Sequence, residues 1–407
     1  MNKKTICVLP FNTLSIGGLG AQRLCCNANN GGLSGSDRPI PVGNRTDTKW
    51  LEGVALDRIR KSMLAGEKIK ECDRCWSLED IGSDSYRMMN NTYRFPDRFD
   101  KIIAGDVSLG IERIEIDVGN KCNLACRMCH PGSSSLLAQE LANDLPNAYD
   151  TFHNIQSFVK SESWIQSSKF FDVVRENART LKSVYIIGGE PLIIEEQEQL
   201  LDLLIELDIA KNIELSYNTN ITTLGRKWYD KWDKFKSVAV NASIDGVGEY
   251  YEYVRWPAKW EKIYENLKEL KRWGVEHQGR HRVAIDSTLS NLTMPSIVSA
   301  TDLLVRDLGF SIFYINVDHP GCMSPWVLPA SVRATSASAA IDHITTNYKE
   351  NYNLMNTVKT LEKVLTSAEP SDTIKSEFIK RMKFMDKNRK QNLLSVHPWF
   401  EEWYNAY

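Results

Sequence analysis

From about Ile111 onward, short runs of β-branched and aromatic residues alternate with longer stretches whose apolar residues recur at helical spacing. The runs Ile111–Val118, Val184–Ile187, Ile213–Tyr217, Val238–Asn241, Val283–Leu289 and Ile312–Val317 predict strands. Apolar spacing predicts helices at Leu136–Leu141, Glu195–Leu207, Lys259–Trp273 and Pro295–Leu308. A βαβα order of this kind predicts an α/β fold with a parallel sheet flanked by helices. Repeated right-handed crossovers would curl it into a partial (β/α)6, TIM-like barrel. Chemistry on such a frame belongs at the C-terminal ends of the strands. The polar stretch from Asn143 to Glu162 predicts an insertion after the first helix.

The pattern divides the chain into three segments. Residues 1–100 are Cys-rich and carry one predicted helix at Leu56–Ala65, residues 105–325 hold the barrel, and residues 326–407 are helical and rich in Lys and Glu. The terminal run Trp399-Phe-Glu-Glu-Trp-Tyr404 is expected to pack as a helix.

Composition then narrows the function. Net charge is −2 over 407 residues, which leaves no electrostatic footprint for nucleic acid or an anionic membrane. The Lys-rich stretches Lys259–Lys271 and Lys359–Lys363 are expected to be solvated faces. No apolar run approaches the ~18 residues needed to span a bilayer. Lysines open the chain, but Pro10, Asn12 and nearby glycines interrupt any signal-peptide core. Clustered cysteines without a secretory signal predict a reducing cytoplasm, and metal binding in place of disulfides.

The cysteines carry the chemistry. Cys122, Cys126 and Cys129 form a C-x3-C-x2-C triplet directly after the first barrel strand. Three thiolates are one short of a closed site, so a [4Fe–4S] cluster held by them keeps one iron open for a ligand. The alternative is a zinc site completed by His130. The run Ser183–Ile187 ends in Gly188-Gly189-Glu190-Pro191, where glycines allow close backbone approach and the glutamate offers a carboxylate acceptor. A further strand runs into Ser243-Ile-Asp245-Gly246, followed by Tyr253-Val-Arg255.

On these residues the chain resembles the radical S-adenosylmethionine (radical SAM) superfamily. The resemblance implies that Cys122, Cys126 and Cys129 hold the catalytic cluster and that its open iron takes the amino and carboxylate groups of SAM. It implies that Gly188, Gly189 and Glu190 bind the SAM amino group. Ser243, Asp245 and Arg255 would contact its ribose and carboxylate, with Asn218 and Asn220 as further contacts. Met128 stands where many members carry an aromatic residue, and a methionine can still pack against adenine.

A second cysteine set precedes the barrel: Cys7, Gly20-x4-Cys25, Cys26 and Cys72-Asp-Arg-Cys75. Four thiolates suffice for a closed site. The spacing resembles the twitch/SPASM auxiliary-cluster domains, which more often follow the barrel. It implies Cys7, Cys25, Cys72 and Cys75 as ligands of a second [4Fe–4S] cluster, with Cys26 as the rival to Cys25 and a zinc ribbon as the alternative content. Cys322 is left over, and a lone cysteine is usually packing.

Together the two resemblances cover roughly residues 1–330. They imply an enzyme that reductively cleaves SAM to a 5′-deoxyadenosyl radical, which abstracts hydrogen from a peptide or protein side chain. They also imply an electron donor such as a flavodoxin or ferredoxin. A small-molecule substrate and a non-catalytic zinc or iron–sulfur scaffold are the alternatives. The Gly188–Glu190 and Asp245 positions argue against the scaffold.

Overall fold

The computed structural model describes residues 4–29, 49–80, 82–143, 164–277, 279–317 and 319–407. The expected insertion at Asn143–Glu162 lies, from residue 144 on, outside them. The fold is α/β, an open and mostly parallel sheet of eight strands with helices along the chain between them. The chain packs as two compact units, each assembled from several segments.

The first unit comprises residues 1–119, 161–217 and 227–238. Its strands are β1 (Thr13–Ile16), β2 (Gln22–Arg23), β3 (Arg113–Asp117), β4 (Ser183–Ile187) and most of β5 (Glu214–Thr219). They follow the order β2-β1-β3-β4-β5. β1 pairs antiparallel with β2, and parallel with β3, so that Thr13 lies opposite Arg113 and Ile16 opposite Ile116. β3–β4 and β4–β5 are also parallel. The β1–β2 hairpin is an addition to the six strands expected from sequence. Its four-residue first strand is too short to show a period, and its pairing with β3 reaches across about 100 residues of chain.

A separate core fills the N-terminal part of this unit. Val8, Phe11, Leu56, Ile59, Met63 and Ile102 are all buried in it. The helix Val54–Ala65 ends at Gly66, whose left-handed conformation closes the last turn.

The second unit comprises residues 120–160, 218–226 and 239–407. It holds most of β6 (Ser237–Ser243), with β7 (Arg282–Leu289) and β8 (Ser311–Asn316) in parallel order β6-β7-β8. The helix Trp260–Glu276 lies between β6 and β7, as its apolar spacing predicts. The helix expected at Pro295–Leu308 is broken. A short 3-10 turn and Ile297–Thr301 lead into a wide π-helical turn at Asp302–Asp307. There the Asp302 carboxylate is drawn to His343 Nε2 and to the Tyr348 hydroxyl, each at 2.7 Å. The C-terminal part is helical, with Ala330–Asn347, Tyr352–Leu365 and Asp372–Arg389 followed by short turns. The terminal aromatic run packs through Phe400 and Trp403, both buried. Among the described residues, no helix is long and apolar enough to cross a membrane.

Candidate active site

In the second unit the Cys triplet lies on an irregular loop fixed at several points. Ala125 N donates to the Trp256 carbonyl at 2.8 Å and Arg127 N to that of Val254 at 2.9 Å, so the loop runs beside the Val254–Trp256 segment. Ser134 caps the following helix, Ser135–Ala142, by accepting from Leu137 N. The Ser135 hydroxyl accepts from Cys122 N at 3.2 Å.

The donors around the sulfurs suit thiolate ligands. Leu124 N lies 3.4 Å from Cys122 Sγ and Asn220 Nδ2 lies 3.9 Å from it. Arg255 Nη1 lies 4.0 Å from Cys126 Sγ. As free thiols, Cys126 and Cys129 resist ionisation. Burial pushes Cys126 up to about 12, against the pull of Arg255, and raises Cys129 as well. Coordination by iron would remove those protons outright. The residues present therefore fit an iron–sulfur cluster, with N–H and guanidinium donors already turned to sulfur. His130, the fourth ligand of the zinc alternative, turns Nδ1 back to accept from Gly132 N at 2.9 Å, and its ring faces His319.

The other predicted contacts of this unit form a connected set. Asp245 is wholly buried, and its Oδ2 receives Arg255 Nε at 2.7 Å and Nη2 at 2.6 Å. Its Oδ1 accepts from Thr288 N at 2.5 Å. Asn220 bridges to Asn123 Oδ1 at 3.0 Å and accepts from Thr222. Asn218 Nδ2 donates to Asp286 Oδ2 at 2.8 Å, and Asn241 Nδ2 to Asn218 Oδ1 at 3.3 Å. Ser243, half-buried, pairs across the sheet with Asp286. Met128 is buried.

Asp286 and Asn241 were not foreseen. They read as the polar positions of ordinary strands, and the strand order β5-β6-β7 gathers them with Asn218 of β5. Burial pushes the Asp286 carboxyl up to about 6, although Asn218 opposes the shift. Cys322 is buried, and its thiol is pushed up to about 12 by burial first, with Arg381 and Glu377 nearby. That environment keeps it inert.

The first unit carries the remaining predicted residues. Gly188 must be glycine, because it sits at φ 137° and a Cβ would come within 2.9 Å of Val118 N, Asp117 Oδ1 and the Gly119 carbonyl. Gly189 N donates to the Gly119 carbonyl at 2.6 Å. Glu190 is fully buried, and its Oε1 accepts from Leu192 N at 3.0 Å, capping the turn Pro191–Ile193. Asp117 closes the same corner, accepting from Arg23 Nη2 at 2.9 Å and Gly119 N at 3.1 Å.

Cys7, Cys25, Cys72 and Cys75 are all buried in this unit. Burial raises the Cys7 thiol strongly, and Cys72 and Cys75 press on it from close by. Cys25 is raised by burial, with Glu115, Cys26 and Cys7 adding to the effect. Asn27 Nδ2 approaches Cys75 Sγ at 3.7 Å. Cys26 shares Glu115 with Cys25 and adds Tyr86 and Arg113. Burial raises its thiol too. Arg113 donates to Glu115 Oε1 at 2.9 Å, Tyr86 also donates to Glu115, and Cys26 N donates to Glu115 Oε2 at 3.0 Å. Burial opposes the Glu115 charge, yet these partners outweigh it and hold the carboxyl below its usual range.

The family model described as the radical SAM superfamily matches residues 116–285, from the end of β3 into β7. Residues 116–285 thus match a radical SAM domain. That family implies SAM and a [4Fe–4S] cluster. No curated protein matches the sequence. Among solved structures, Streptococcus suis SuiB bound to SAM is 15% identical, with 72% of this chain and 60% of that chain covered and a TM-score of 0.39. SuiB bound to its precursor peptide SuiA gives 15%, 72%, 60% and 0.36 in the same order. Native anSMEcpe with bound SAM gives 17%, 64%, 67% and 0.43. The chain thus spans 60% of the length of SuiB.

Proposed function

We propose that this radical SAM enzyme reductively cleaves SAM and uses the resulting radical to abstract hydrogen from a peptide or protein side chain. The observation that carries the cleavage reading is the triplet itself: three cysteines with Leu124 N, Asn220 and Arg255 turned to their sulfurs. When bound, a cluster held there supplies an open iron and the electron that splits SAM into methionine and a 5′-deoxyadenosyl radical.

The residues of the chain have separate tasks. Asp245 fixes the guanidinium of Arg255, whose remaining nitrogen faces Cys126. Asn218, Asn220, Ser243 and Met128 are proposed SAM contacts in the second unit. Gly188, Gly189 and Glu190 are the proposed acceptors for the SAM amino group. Burial of Asn220, Asp245 and Arg255 would help to exclude water from the radical.

Cys7, Cys25, Cys72 and Cys75 are proposed to hold a second, saturated [4Fe–4S] cluster. The support is that each is buried, that Cys7 neighbours both Cys72 and Cys75, and that Cys25 neighbours Cys7. A flavodoxin or ferredoxin would supply the electron. The peptide or protein substrate follows from the twitch/SPASM resemblance of the N-terminal segment, many of whose relatives modify such side chains.

The test is uncoupled cleavage by anaerobically reconstituted, dithionite-treated protein. The wild type should form 5′-deoxyadenosine, and replacing Cys122, Cys126 and Cys129 with alanine should abolish it. Cleavage that survives loss of the triplet would overturn the assignment. For the substrate, mass change in a precursor peptide encoded beside the gene, coupled to 5′-deoxyadenosine, supports the peptide reading. Turnover of a small molecule alone would replace it.

A further inference from the structure

The Cys loop is held from a distant part of the chain. Arg381, on the helix Asp372–Arg389, donates through Nε and Nη2 to the Arg127 carbonyl at 3.0 and 2.8 Å. Its Nη2 also reaches the Cys129 carbonyl at 3.2 Å. Five residues on, Asp386 Oδ1 receives Arg127 Nη2 at 2.6 Å and the Tyr253 hydroxyl at 3.0 Å, while Oδ2 receives Leu393 N. The Arg127 guanidinium lies 3.6 Å over the Tyr253 ring. Arg389, at the end of the same helix, forks onto Glu140 at 2.9 and 2.5 Å.

Ordinary helix packing would not call for this arrangement. Arg127 and Arg381 are 0% and 1% exposed. Burying a guanidinium costs several kcal/mol unless its fork is paired, so an apolar side chain would pack a helix here at lower cost. A planar fork is suited to something narrower. It gathers carbonyls that a loop between metal ligands leaves without strand or helix partners. The two carbonyls it gathers belong to the residue after Cys126 and to Cys129 itself. The same guanidinium also brings a permanent positive charge to the loop that carries the ligands.

We propose that Arg381 is a positioning residue for the SAM cluster, fixing the backbone on either side of Met128 and raising the reduction potential through its charge. The inference rests on the proposed cluster at Cys122, Cys126 and Cys129. Reduction adds a negative charge, so a fixed cation beside the cluster favours the reduced form, and net charge is one of the levers that set cluster potentials. The C-terminal helix thereby becomes part of the catalytic apparatus.

The test uses full-length, reconstituted protein and two variants, Arg381→Lys and Arg381→Gln. Two quantities are read: the rate of iron loss to a chelator, and the midpoint potential of the cluster. Arg381→Lys keeps the charge and loses the fork, so it should lose iron several-fold faster at a potential near that of the wild type. Arg381→Gln should lose iron faster and also show about a tenfold lower reduced-to-oxidised ratio at a fixed solution potential, or ~59 mV for one electron. Wild-type iron-loss rates in folded Arg381→Lys would overturn the positioning role, and that variant decides the question alone if Arg381→Gln does not fold. An unchanged potential in folded Arg381→Gln would overturn the electrostatic role. Failure of the wild type itself to take up iron at the triplet, judged against the triple alanine variant, would refute the underlying cluster reading.

Discussion

Asp245 holds Arg255 through two contacts to one carboxylate oxygen, at 2.7 and 2.6 Å, and so aims the third guanidinium nitrogen at Cys126, 4.0 Å away. Both partners are buried, and the other carboxylate oxygen is taken by Thr288 N. The pair joins the end of β6 to β7 and to the Cys122–Cys129 loop, so one carboxylate orders three pieces of chain. Asp245→Ala would strand a buried guanidinium and a buried amide together. Removing one partner of such a pair costs about 3–5 kcal/mol. Urea unfolding should report a loss of that order, and a loss under ~1 kcal/mol would mean the pair is dispensable.

Glu190 has a structural task and a proposed ligand task that can be separated. Its carboxylate caps the Pro191–Ile193 turn, and glutamine keeps an oxygen for Leu192 N. Glu190→Gln should therefore fold with near wild-type stability. A charge-assisted contact to the SAM ammonium contributes about 1.5–3 kcal/mol, so SAM affinity should fall roughly ten- to hundredfold. Calorimetric titration of the reconstituted protein measures it, and unchanged affinity would confine Glu190 to the cap.

His397 gives the fold a pH dependence. It is fully buried among Tyr250, Tyr253 and Trp399, and neither ring nitrogen has a hydrogen-bond partner among the described residues. Burial, with the Arg127 charge nearby, pushes its pKa down to about 3. The unfolded chain takes up this proton near pH 6.5 and the folded chain does not. This stability is complete above pH 6.5 and is lost as pH falls toward 3. Between pH 8 and pH 5 the loss is about 2 kcal/mol. His397→Phe should abolish that part of the pH dependence in denaturant titrations and leave the protein at least as stable at pH 8. A pH profile parallel to the wild type would contradict the assignment.

The two adjacent cysteines of the N-terminal segment face different surroundings. Cys25 neighbours Glu115, Cys26 and Cys7, whereas Cys26 neighbours Glu115, Tyr86 and Arg113. If both sets hold [4Fe–4S] clusters, reconstituted protein binds about eight irons and Cys25→Ala loses roughly half, while Cys26→Ala keeps nearly all. Iron analysis with parallel zinc analysis decides between cluster and zinc ribbon.

Much of this was legible in the sequence where the signal is local. The strand at Arg282–Leu289 and the helix at Glu195–Glu206 fall within a residue or so of the apolar pattern, because burial on one face imposes a period. The C-x3-C-x2-C triplet is a local signal too, because its three cysteines lie within eight residues of chain. What the sequence hid is long-range. Arg127 and Asp386 stand 259 residues apart, and nothing in a Lys-rich helix distinguishes one arginine that will be buried from its exposed neighbours. Asp286 is an ordinary polar position of a strand in the sequence, and only the strand order β5-β6-β7 brings Asn218 to it. The β1–β2 hairpin was too short to announce itself between Asn12 and the glycines that follow Ile16.

The claim at the centre of this account is that the cluster of Cys122, Cys126 and Cys129 has an iron open to SAM. It is tested most directly by electron paramagnetic resonance of the reduced protein carrying Cys72→Ala and Cys75→Ala, recorded with and without SAM. Those substitutions remove the saturated cluster and leave one signal. The account predicts that SAM shifts the g-values of that signal and that the shift disappears with the triplet cysteines. A reduced cluster whose spectrum is indifferent to saturating SAM would contradict it.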